Sequence, residues 1–291
     1  MKVNKKKKAH GLKHAVREEK EREKRIITAI FLAFILLIVI TSAYFTYALL
    51  NKSPNQTLSP SSSQPKAAIV DHLSLTFPNR TFIETATDIL KKSGYSLDYY
   101  PGEEVTVEFY RNIPTHNYSL IILRVHSSAA VLEGKEFVEA PVSLFTSETY
   151  AQDKYVWEQL SDQLLIASIA TAQPSYYFAI TPKFVTSSMN GNFRNTIAIM
   201  MGCEGLNNTK MAEAFAEKGA KVYIGWNGSV SASHTDQATI NLLQHLILEK
   251  QTVRQAVENS MKEVGADPAY SSLLKYYPFE VGEQTIDTRA L

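Results

Sequence analysis

The chain has 291 residues, a net charge of +1 at pH 7 and one cysteine, Cys203. A single thiol excludes an intramolecular disulfide framework and a cysteine-based structural zinc site. The small total charge hides an asymmetry: residues 1–25 carry 11 Lys or Arg against 4 Glu, a net of +7, which leaves about −6 for everything after them.

Residues 26–50 form a run of 25 without a charged side chain. At about 1.5 Å per helical residue the run outspans a hydrocarbon core of about 30 Å. It is apolar on every face, and Tyr44, Phe45 and Tyr47 sit towards one end, where aromatic rings favour the interface. A cleaved signal peptide is the competing reading, but its apolar core is typically only about 7–15 residues. The expectation is therefore an uncleaved signal-anchor helix with a lipid bilayer as its partner. The basic flank stays cytoplasmic and the C-terminal domain is extracytoplasmic. The run Lys5–Lys8 resembles a nucleic-acid patch, yet beside a span it is explained by topology and anionic headgroups, so no nucleic acid is expected.

Residues 51–65 read NKSPNQTLSPSSSQP and cannot bury a core, so they are expected to form a flexible stalk. Residues 66–291 then suffice for one domain. Six Asn-x-Ser/Thr sequons begin at Asn51, Asn55, Asn79, Asn117, Asn207 and Asn227, compatible with an external surface.

Within that domain, apolar runs at 67–70, 120–125, 196–201 and 221–226 predict buried strands, with a weaker one at 96–100. The last three lack alternation, as parallel strands covered on both faces do. Helical periodicity at 81–92, 210–218 and 235–250 falls between or after them. Thr252-Val-Arg-Gln255 is a capping box opening a further helix that Gly265 closes. The fold class is α/β, a mostly parallel sheet sandwiched by helices. An insertion at about 133–193 is expected as hairpin or irregular material, with strands at 142–145 and 164–169.

Ligands of open α/β sheets bind beyond the carboxyl ends of the strands. His126 follows the run 120–125 and Cys203 follows 196–201. If those strands are parallel neighbours, imidazole and thiol share one rim, an arrangement suited to nucleophilic catalysis. Gly202 and Gly205 permit a tight turn that exposes the thiol. Asp71, Trp226, Asn227 and Asp236 follow other strands and are candidates for lining a substrate cleft, Asp71 for a basic side chain. The one His-x-x-x-His spacing, His10 and His14, lies in the basic tail before the apolar run. After that run this pattern is absent, and phosphate-loop, GxGxxG and GxSxG patterns are absent throughout, so no metal or cofactor is expected.

The strand–His126–Ser127 and strand–Gly202–Cys203–Glu204–Gly205 segments resemble the caspase-like cysteine peptidases (clan CD: caspases, gingipains, clostripain, separase and CHAT domains). The helix, turn and strand across 210–226 are similar to the elements after the nucleophile in the CHAT and gingipain-like members, and the likeness covers roughly 67–265. It implies a caspase-haemoglobinase-like fold, His126 as base, Cys203 as nucleophile, and the backbone amides of Ser127 and Cys203 as oxyanion donors. The family usually has Gly where this chain has Ser127, a departure that bears on oxyanion geometry. The expectation is a membrane-anchored, extracytoplasmic cysteine endopeptidase acting on a peptide or protein. The alternatives are a catalytically inactive caspase-like binding or scaffold domain on a stalk, and another thiol-dependent hydrolase or transferase.

Overall fold

The computed structural model describes residues 24, 31, 34–42, 64–129, 140–169 and 175–286. The chain divides into two units, Met1–Ser61 and Ser62–Leu291. In the first, residues 34–42 form helix α1, whose side chains are exposed throughout. The hydroxyls of Thr41 and Ser42 donate to the carbonyls of Ile38 and Val39. The rest of the expected span 26–50 lies outside the described residues, apart from Phe31, as do nearly all of the tail 1–25 and the stalk 51–65. Among the described residues no helix is long and apolar enough to cross a membrane.

The second unit is α/β. Its strands are β1 (Lys66–Asp71), β2 (Ser96–Pro101), β3 (Leu120–Arg124), β4 (Ser127–Ala129) and β5 (Val142–Thr149), then β6 (Leu164–Ser168), β7 (Tyr176–Ile180), β8 (Thr196–Met200), β9 (Ala220–Trp226) and β10 (Leu274–Tyr277). One sheet has the order β10-β9-β8-β3-β1-β2. Its pairings are all parallel except β9 with β10. The central strands read AAIV, LIILR and TIAIM, and every one of those residues is buried. Such runs are stable only when both faces are covered.

The helices described in this unit are α2 (Arg80–Lys92), α3 (Val107–Asn112), α4 (Val156–Leu160), α5 (Pro182–Ser188), α6 (Lys210–Glu217), α7 (Ala232–Leu243) and α8 (Val253–Val264). On one face of the sheet, Ile69, Ile122 and Ile199 pack with Phe82 and Leu90 of α2, Leu242 of α7 and Val257 of α8. On the other, Val70, Leu123 and Met200 pack with Tyr110 of α3, Phe184 of α5 and Phe215 of α6. Both layers of a sandwich are therefore present.

Local chemistry sets the ends. Asn79 caps α2 by accepting the Phe82 N–H. Thr252 and Gln255 complete the capping box of α8. Gly265 closes that helix at φ +73°, a backbone state costly for other residues. The helix expected at 235–250 starts earlier, at Ala232, and after Leu243 it widens into a π turn through Leu248.

The segment expected to be inserted material supplies β5, β6 and β7 of a second, antiparallel sheet of order β4-β5-β7-β6, whose edge strand β4 precedes it. Its expected strands 142–145 and 164–169 correspond to β5 and β6; β7 carries two exposed or half-buried tyrosines and has little apolar signal. Residues 133–139 and 170–174 of that segment lie outside the described residues.

Candidate active site

β3 and β8 are parallel neighbours in which Leu123 pairs with Met200. His126 lies three residues beyond Leu123 and Cys203 three beyond Met200, so both leave the sheet at the same level on the carboxyl rim. Two links hold the loops together. The Ser127 hydroxyl donates to the carbonyl oxygen of Cys203. Glu204, at φ +62°, turns back so that its carboxylate accepts the Ala129 N–H at 2.6 Å and the Ser229 hydroxyl at 3.3 Å. Gly202 makes the approach possible: a Cβ there would lie 2.3 Å from the Val125 carbonyl oxygen and 2.4 Å from Ser127 Oγ.

The rim opens into a cleft of about 510 Å³ lined by both His126 and Cys203. Leu73, Phe77, Val125, Met201 and Val230 supply its apolar walls, and Ser231, Thr235 and Tyr270 its polar points. The His126 ring is wrapped by His72, Phe77 and Phe145, with ring centroids 5.6, 6.0 and 6.1 Å away. Its Nε2 hydrogen-bonds with Thr76 Oγ1 at 2.9 Å, and its carbonyl accepts the Phe145 N–H at 2.9 Å. Burial, and then the Arg124 charge, lower the His126 pKa to about 4, so the imidazole is neutral at pH 7.

Cys203 is half-buried. Its Sγ faces Val230, accepting the amide N–H at 3.4 Å and donating to the carbonyl at 3.6 Å. Burial pushes the thiol pKa up, although the Val230 amide pulls the other way. The pair at rest is therefore a thiol and a neutral imidazole. The Cys203 N–H has no acceptor among the described residues. Because Phe145 N–H donates to His126, Ser127 occupies the next, non-hydrogen-bonded position of the β4–β5 ladder, and its N–H points away from β5.

The other sequence candidates lie elsewhere. Asp71 is the register partner of Arg124, and its carboxylate accepts from that guanidinium at 2.7 Å and from the Tyr99 hydroxyl at 3.1 Å. Asp236 accepts from Arg124 Nε at 2.7 Å and Nη2 at 2.9 Å, and from Asn79 at 2.8 Å. Both carboxylates are buried and neither lines the cleft, which corrects the expectation that they face a substrate. The physical reason is Arg124 itself, fully buried and in need of compensation. Trp226 is also sealed; its indole N–H donates to Thr235 Oγ1, which in turn donates to the Met201 carbonyl. Asn227 is exposed, with its side chain accepting the Leu273 N–H.

Sequence reasoning passes over Thr76 and Arg124. Arg124 has a legible signal, a charge at the end of an apolar strand beside one ending in Asp71; Thr76 has none. No group of three or more metal-ligating side chains occurs among the described residues. No protein-family model matches the chain, and no curated protein matches it in sequence.

Proposed function

We propose that this chain is a membrane-anchored cysteine endopeptidase whose caspase-haemoglobinase-like domain acts outside the membrane through Cys203 and His126. The observation that carries the reading is the equal offset of the two residues beyond the paired Leu123 and Met200, with one cleft in front of both. A neutral imidazole is the form a general base needs. In the first step the Cys203 proton passes to His126 as Sγ bonds to the scissile carbonyl carbon. The N–H groups of Cys203 and Ser127 receive the developing oxyanion. His126 returns the proton to the leaving amine as the C–N bond breaks, and water then hydrolyses the thioester.

Thr76 orients the imidazole from its outer side, the third group such a pair requires. The uncharged run at 26–50 and the basic flank before it support the anchor and its direction. The deciding experiment is labelling of the full-length chain with a thiol-reactive peptide probe, with and without His126→Ala. Fast labelling that depends on His126, with peptide cleavage, is expected. Equal, slow labelling of both proteins with no cleavage would sink the enzyme reading.

One observation favours the alternative of a non-catalytic binding domain: at rest Sγ bonds to the Val230 backbone N–H and carbonyl. On this reading the same cleft would hold a peptide without cutting it.

A further inference from the structure

Four carboxylates come within a few residues of the cleft, and all four are turned into the protein. Asp71 and Asp236 are bound to Arg124. Glu204 holds the Ala129 amide. Asp267 accepts the Ser231, Ala269 and Tyr270 N–H groups at 2.8, 2.9 and 3.0 Å, which ties together the two loops that carry Ser231 and Tyr270, both polar residues of the cleft. Arg124 is equally spent, with its remaining Nη2 donor on the Phe77 carbonyl at 2.8 Å. Among the described residues, therefore, no Asp, Glu, Lys or Arg lines the cleft. Its walls are Leu73, Phe77, Val125, Met201 and Val230, and its hydroxyls belong to Ser231, Ser233, Thr235 and Tyr270.

We infer that the substrate side chain seated beside Cys203 is uncharged and apolar, of leucine, methionine or phenylalanine type, and not basic or acidic. The inference rests on the peptidase reading for its chemistry and on the cleft alone for its preference. A charged side chain buried in this cleft would lose hydration and meet no opposite charge among the described lining residues, and an unpaired buried charge is costly. An apolar side chain would exchange water for the five apolar walls, gaining on the order of 25 cal/mol per Å² buried. The Val230, Ser231 and Thr235 polar groups are largely taken up within the protein, and the Ser233 and Tyr270 hydroxyls, which have no partner among the described residues, remain for the peptide main chain. The cleft volume of about 510 Å³ falls within the range of roughly 300–1,000 Å³ usual for small-ligand sites, enough for a side chain with its adjoining backbone.

The test uses the full-length chain in detergent and three peptidyl acyloxymethyl ketones identical except for Leu, Arg or Asp at the position next to the reactive carbonyl. Labelling of Cys203 is followed by mass spectrometry. Equilibrium binding of the three matching amide peptides is measured in parallel on Cys203→Ala. Labelling at least tenfold faster with Leu, with the same order in binding, is expected. A fastest reaction with Arg or Asp overturns the inference and leaves the peptidase standing. Equal labelling at the rate of His126→Ala, with binding still favouring Leu, removes the peptidase and keeps the cleft's preference. Equal labelling and equal binding overturn both. Ser233→Asp, which places an unpaired carboxylate in the lining, is expected to shift labelling towards the Arg probe by about tenfold; no shift would place the side-chain site elsewhere and overturn the inference.

Discussion

Ser127 and Cys203 are joined by a hydrogen bond from the side-chain hydroxyl of one to the main-chain carbonyl of the other. It ties the turn after β3 to the turn after β8 directly beside the two reactive side chains. The bond depends on the absence of a side chain at Gly202, where an added Cβ would meet the Val125 carbonyl, Ser127 Oγ and Met200 Cε at 2.3, 2.4 and 2.6 Å. Two of those three atoms belong to the opposing turn, so the turns must separate to admit even a methyl group.

Gly202→Ala is accordingly expected to cost about 1–3 kcal/mol of stability, the usual scale for overpacking. Its larger effect falls on the site. Denaturation by urea and the rate of Cys203 alkylation should both change, and His126-dependent labelling should fall further than stability does. Unchanged labelling kinetics in the folded variant would show that the spacing of the two turns does not govern the thiol.

A second expectation concerns Arg124, buried between Asp71 and Asp236 with a third bond to the Phe77 carbonyl. Arg124→Met fills much of the volume but abandons two buried carboxylates, and breaking such a group by removing one partner costs about 3–5 kcal/mol. The triple variant Arg124→Met, Asp71→Asn, Asp236→Asn should recover part of that loss. Urea denaturation of the single and triple variants checks it; equal stability of the two would mean the charges are not coupled.

Gly202 and Arg124 also mark the boundary of what is legible in the sequence. The central strands are readable because each is a continuous apolar run, and the rim position of His126 and Cys203 comes from those runs alone. The antiparallel edge strand β10, LKYY, is not, since two of its residues are half-buried and one is exposed. Asp71 and Asp236 look like cleft residues in the sequence because position on a rim does not reveal which way a side chain turns. Only the register of Asp71 with Arg124 decides that, and register is a property of strand pairing across 53 positions of sequence. The Thr76–His126 bond likewise joins residues 50 positions apart without any motif.

Thr76→Val keeps the branched shape and removes the hydroxyl. Because the residue is exposed, stability should change by less than about 1 kcal/mol. A positioning bond worth about 1 kcal/mol corresponds to roughly a five- to tenfold slower His126-dependent labelling. Thr76→Ser should restore most of the rate. Slowing that Ser fails to rescue would assign the effect to the methyl group and not to the hydrogen bond.

The last expectation is a pH dependence of stability. His72 is buried, its Nδ1 has no partner among the described residues, and its ring stands edge-on to His126. Burial first, and the neighbouring His126 second, lower its pKa from 6.5 to about 4; His126 is lowered to about 4 as well, by burial and then by Arg124. Arg124 adds positive charge near His126, while Asp71 is already paired with it. Between pH 6.5 and 4 the unfolded chain therefore binds protons that the folded chain refuses. Stability is full above about pH 6.5 and falls as the pH drops through that window, by up to about 1.4 kcal/mol per pH unit for each histidine. Thermal melts between about pH 7 and 5, above the range where most carboxylates titrate, should show the decline. His72→Leu removes one of the two groups without orphaning a partner, and should reduce the slope by about half. A flat profile for the wild-type chain, or an unaltered slope in His72→Leu, would contradict the account of two neutral imidazoles packed against each other, one of them in the cleft wall.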